Sequence, residues 1–199
     1  MPHYTDLTGL AGVVSAVCAL LLLLPGVARL AKPRRATLLG VCLMLLLIPY
    51  DGMPLAAYLR GVSGDLSVTT LVLVWAAWLK PWRITMDAGS RRALLRLIAL
   101  TAVAFYPLAL GVGAVDPYHL GFADPLFVTA LLIITLAAWF WKFYPVALCI
   151  ALATLAWAIG WYESSNLWDY LLDPFVSVYA LAATLIYALR ALSQPALPK

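Results

Sequence analysis

Two stretches of this chain carry side chains able to do polar chemistry in otherwise apolar surroundings. Tyr50 to Ser67 holds Tyr50, Asp51, Tyr58, Arg60 and Asp65, and Glu163 to Asp173 holds Glu163, Asn166, Trp168, Asp169 and Asp173. Carboxylates accept hydrogen bonds and can move protons, and a guanidinium grips carboxylate or phosphate through two parallel bonds. Acceptors, an amide, aromatic surface and one cation together suit the sugar or phosphate headgroup of a lipid-linked molecule. The candidate ligand-binding set is therefore Tyr50, Asp51, Tyr58, Arg60, Glu163, Asn166, Trp168 and Asp169.

The rest of the chain must hold these groups, and its composition says how. Of 199 residues, 65% are hydrophobic and only 11% charged, and the mean hydropathy is +0.96. So much apolar surface must face lipid, which predicts an all-α polytopic membrane protein. The formal charge of +4 could suggest nucleic acid. Its basic residues sit in short clusters beside apolar runs, however, where they orient helices in a bilayer, and nucleic-acid binding is not expected. Cys18, Cys42 and Cys149 all fall in apolar runs without metal or redox spacing.

Runs of about 20 apolar residues give seven expected spans, at about 7–28, 35–50, 65–80, 93–114, 125–142, 145–162 and 174–191. Six follow if 54–80 forms one broken element. Arg29, Lys32, Arg34 and Arg35, then Lys80, Arg83, Arg91, Arg92 and Arg96, then Lys142, Arg190 and Lys199 all fall on one side of a seven-span chain. The positive-inside rule makes that side cytoplasmic, with the N-terminus outside and the C-terminus inside. The acids other than Asp87 fall on the opposite side. One integral membrane domain over 1–199 is expected, with short interfacial helices on its outer face, the first at 54–61. The abundance of Leu, Ala and Arg points to a GC-rich bacterial genome and hence to a bacterial inner membrane.

Asp6, Asp65, Asp124 and Asp173 each precede an expected span, where an aspartate accepts from free backbone amides and faces the positive end of the helix dipole. They read as caps. Asp51 and Glu163 instead follow helices, where the dipole opposes a negative charge and a compensating partner is needed. Arg60, the one basic residue on the outer side, is the natural partner for either. Tyr50 and Tyr58, like Tyr162 and Tyr170, are spaced eight residues apart and read as anchors at the headgroup level.

Other chemistries find little support. Gly61-Val62-Ser63-Gly64 superficially resembles the G-x-S-G motif of rhomboid proteases, but the only histidines, His3 and His119, lie outside the expected spans, and a serine nucleophile needs a base within reach. No metal site or cofactor is expected, and no charge sits at the centre of a span to drive coupled transport. The leading expectation is a protein that binds the headgroup of an amphiphile at the outer leaflet, as an accessory subunit in envelope lipid or glycan metabolism. Its expected partners are membrane lipids, a lipid-linked substrate, and a larger membrane enzyme or further copies of itself. An outer-leaflet transferase or hydrolase using Asp51, Glu163 or Asp169 with Arg60, and a small-solute or lipid transporter, are the alternatives.

Overall fold

The computed structural model describes residues 4–79 and 86–193; His3, Lys80, Arg83 and Lys199 lie outside them. The described chain is almost wholly helical. Helix α1 is Tyr4–Leu23, followed by a single turn, α2 (Pro25–Ala28), and α3 (Lys32–Leu47). Two short strands, β1 (Pro49–Tyr50) and β2 (Met53–Pro54), lead to α4 (Leu55–Ser63) and α5 (Val68–Trp78). Then come α6 (Ala88–Ala109), a 3-10 turn at Pro117–Gly121, α7 (Pro125–Phe140), α8 (Tyr144–Ala158), the short α9 (Leu167–Leu171) and α10 (Pro174–Leu192).

Each expected apolar run overlaps a main helix, and the first also holds the single turn α2. Three of them, Asp6–Leu23, Ala88–Ala109 and Pro174–Leu192, are long and apolar enough to cross a membrane. Helices α7 and α8 are apolar but shorter, and α5, at 11 residues, is only about 16 Å long at 1.5 Å per residue. Large apolar side chains such as Leu100, Leu126 and Phe140 point outward, as lipid contact requires. The core lies where α6 packs on α10 and α8 packs on α7 and α9. Small residues at its centre, Ala99, Ala102, Ala153 and Ala180, let the helix backbones approach closely.

The helix ends are locally encoded. Asp124 accepts from the Phe127 amide and Asp173 from the Val176 amide, each with proline at the first helical position, as expected. Helix α8 closes in a Schellman motif: Gly160, at φ 64°, donates to Trp157 and Trp161 donates to Ala156. Helix α7 closes the same way with Lys142 at the left-handed position.

Between α3 and α4 the structure departs from the sequence reading. Asp51 and Gly52, at φ 47° and 81°, form the two-residue turn of a β-hairpin pairing Tyr50 with Met53. Asp-Gly is a favoured pair where both turn residues need positive φ. Asp51 therefore lies beyond the end of α3 at a turn apex, and no opposing dipole has to be compensated.

Candidate functional site

Arg60 lies on α4, and Gly64, at φ 69°, ends that helix and turns the chain back so that Asp65 falls beside it. The guanidinium Nε donates to Asp65 Oδ1 at 2.6 Å and Nη2 to Oδ2 at 3.0 Å, the fork geometry that suits a carboxylate. Nη1 reaches Asp6 Oδ1 on α1 at 3.2 Å, and Nη2 reaches Glu163 Oε1 at 3.4 Å. One residue thus joins α1, the α4–α5 connection and the segment after α8. The Arg60 side chain is 17% exposed and that of Glu163 is 60% exposed, so the cluster runs from a part-buried pair to an open carboxylate. The hydrogen bonds from Arg60 to Asp65 hold the guanidinium protonated beyond its ordinary range.

The expected pairing with Glu163 is present. The expected pairing with Asp51 is not: among the described residues Asp51 makes no ion pair and is exposed. Asp65 is not a helix cap either. Ser67 caps α5, its side chain accepting from the Thr70 amide, which leaves Asp65 for Arg60. Asp6 lies inside the first turn of α1 and not ahead of it. The cluster sits directly on α1, because a Cβ at Gly9 would collide with Asp65 Oδ1 and with the Arg60 guanidinium.

Asn166, Trp168 and Asp169 belong to a second group with a different task. The Asn166 side chain is fully buried, accepts from the Trp168 amide at 2.9 Å and donates to the Tyr118 carbonyl at 2.9 Å. Trp168 Nε1 donates to the Pro117 carbonyl at 2.9 Å, and its ring lies between Phe105 and Phe127, with centroids 4.4 and 4.6 Å away. Asp169 accepts from the Tyr118 hydroxyl at 3.1 Å and from Ser164 Oγ at 2.5 Å. Burial, followed by the Asp169 charge, pushes the Tyr118 hydroxyl up to about 12. These three residues lock the 3-10 turn to α9. Glu163 and Asp169 therefore enter separate bonding arrangements, and among the described residues Asp51 joins neither, which weakens an acid–base pair built from them.

Asp173 forms a third group. Besides capping α10, its Oδ2 accepts from the Ser67 amide at 2.8 Å and from the Thr70 hydroxyl, so one buried carboxylate satisfies the starts of two helices.

The two tyrosine pairs repeat one device. Tyr58 donates to the Tyr50 carbonyl at 2.9 Å. Tyr170 donates to the Ser164 and Tyr162 carbonyls at 2.9 and 3.2 Å and accepts the Tyr162 amide at 3.1 Å. Tyr50 and Tyr58 are exposed, as headgroup anchors would be. Tyr162 and Tyr170 are not anchors: they are buried, with rings stacked at 5.1 Å. The buried Tyr162 hydroxyl has no hydrogen-bond partner among the described residues.

An apolar cavity of about 240 Å³ opens farther along α1, lined by Ser15, Cys18 and Leu22 of α1, Leu43 and Gly40 of α3, and Trp75 of α5. Among the described residues no group of three His, Cys, Asp or Glu side chains is arranged to hold a metal ion. The chain has no match among known protein families, curated proteins or solved structures.

Proposed function

We propose that this chain is a membrane protein that binds the headgroup of an amphiphile at its polar end, as an accessory subunit in envelope lipid or glycan metabolism. The supporting observation is the arrangement along α1. The Arg60 cluster lies over Gly9, and the apolar cavity begins at Ser15 and ends at Leu22. At 1.5 Å per residue these positions are roughly 9 to 20 Å from Gly9 along the helix. One molecule with a polar head and an aliphatic tail has the same division. The proposal includes seven spans, an outer N-terminus and a cytoplasmic C-terminus in a bacterial inner membrane. Charge placement supports that topology, and so does the meeting of Asp6, Asp65 and Glu163 at one end of the helices.

Native mass spectrometry of the full chain, purified in mild detergent, tests the reading. Retained lipid is expected, together with its loss in Gly40→Phe, because Gly40 faces open space beside the cavity and a phenyl ring would fill it. A lipid-free protein, or retention unchanged by Gly40→Phe, counts against the proposal.

A further inference from the structure

An anionic headgroup and a cationic one make opposite demands on the polar end of α1. A phosphate is best held by two parallel N–H donors in a positive field. Arg60 has five N–H donors, and its bonds to Asp65, Asp6 and Glu163 engage four of them. No fork is left for a phosphate. One guanidinium among three carboxylates also leaves the cluster with a net formal charge of −2. A field of that sign repels phosphate and attracts cations.

The cluster alone would be an ion-pair latch. Tyr162 adds a second and independent observation. Among the described residues its hydroxyl has no hydrogen-bond partner, the residue is 3% exposed, and the oxygen lies 3.6 Å from where a Cβ on Gly12 would be. Gly12 is one helical turn from Gly9, the residue beneath Arg60 and Asp65, so the hydroxyl lies against α1 one turn from the cluster. A buried hydroxyl without a partner is costly to leave unsatisfied. It supplies a neutral acceptor one helical turn from the negative cluster. Glu163, the open member, gives Arg60 one bond out of about four acceptor positions of a carboxylate. A primary ammonium has three N–H donors and a positive charge, and it can use both kinds of acceptor.

Resting on the headgroup reading above, we infer that the ligand of this end is a primary ammonium carried on a lipid headgroup, drawn by Asp65 and Glu163 and hydrogen-bonded by the Tyr162 hydroxyl. Three lipids with identical acyl chains test this on the full chain in detergent by native mass spectrometry: phosphatidylethanolamine, phosphatidylcholine and phosphatidylglycerol. The ethanolamine lipid should bind about 10-fold more tightly than the other two. Choline lacks N–H donors, and the glycerol lipid carries net negative charge. Glu163→Gln and Tyr162→Phe should each remove most of that preference. Glu163 is exposed and the Phe variant keeps the ring stack on Tyr170, so neither change threatens the fold. Equal binding of all three lipids, or a preference for the glycerol lipid, overturns the ammonium and leaves the headgroup reading standing. Binding of none overturns both. Free ethanolamine is the fourth probe, and binding as tight as that of the whole lipid overturns the lipid source.

Discussion

Arg60 and Asp65 are joined by two parallel hydrogen bonds of 2.6 and 3.0 Å, and the pair rests against the backbone of Gly9. Glycine is a poor helix former, and replacing it by alanine in a helix interior normally stabilises by about 0.5–1 kcal/mol. At Gly9 the sign should reverse. The added Cβ would collide with Asp65 and Arg60, and overpacking of this kind costs about 1–3 kcal/mol. Gly12→Ala is the internal control, since its Cβ meets Tyr162 and Leu71 at ordinary contact distances of 3.6 and 3.7 Å. Thermal melts in one detergent should show Gly9→Ala lowered and Gly12→Ala unchanged or raised. Equal shifts for the two would mean that the pair does not lie on α1.

Arg60 had two candidate partners in sequence, and its actual principal partner was neither. A double-mutant cycle separates them. Arg60→Gln with Asp65→Asn should give a coupling of about 0.5–3 kcal/mol, the range for neighbours in one charged network. The cycle of Arg60→Gln with Asp51→Asn should give less than about 0.5 kcal/mol, because Asp51 sits at the hairpin apex. A larger coupling to Asp51 than to Asp65 would overturn the site geometry.

What could be read from the sequence divides by the range of the interaction. Proline and aspartate at helix starts act within three residues, so the caps at Asp124 and Asp173 were visible. So was the helix break near Gly64. Asp51-Gly52 is equally local, a pair suited to a hairpin turn, although its place just after an apolar run also fits a helix end. Asp65 reads as a cap from the sequence, but Ser67, two residues on, is the better one, and only the turn at Gly64 reveals what then pairs with Arg60. Asp6 and Glu163 join it from 54 and 103 residues away; the lone basic residue on the outer side points to Glu163 as a partner, but nothing in a single sequence reports the meeting with Asp6. Tyr162 looked like a headgroup anchor because its burial depends on Tyr170 and α1 closing over it.

Asp173 should matter more than the other caps. Losing a cap costs about 0.5–2 kcal/mol, which is the expectation for Asp124→Ala, whose carboxylate serves α7 alone. Asp173→Ala would strip the start of α10 and also leave the Ser67 amide and Thr70 hydroxyl of α5 without their acceptor in a buried place. The expected loss is about 2–4 kcal/mol, combining the lost α10 cap with two buried donors left unsatisfied. Urea titration of both variants in the same detergent checks the ranking, and equal losses would show that Asp173 does not bridge the two helices.

Tyr118 gives a pH signature. A free tyrosine ionises near 10, whereas burial and Asp169 push Tyr118 up to about 12. The folded chain therefore holds this proton more tightly than the unfolded chain. The stabilisation is fully present below pH 10 and is lost as the pH rises toward 12. Tyr118→Phe removes the hydroxyl and its 3.1 Å bond to Asp169, which should cost about 1 kcal/mol at neutral pH. Because the variant has no proton to lose there, its disadvantage should shrink between pH 10 and 12. Melting temperatures of the two proteins across that window provide the measurement. If the gap stays constant, the Tyr118 hydroxyl is not buried against Asp169, and the lock between the 3-10 turn and α9 has to be drawn differently.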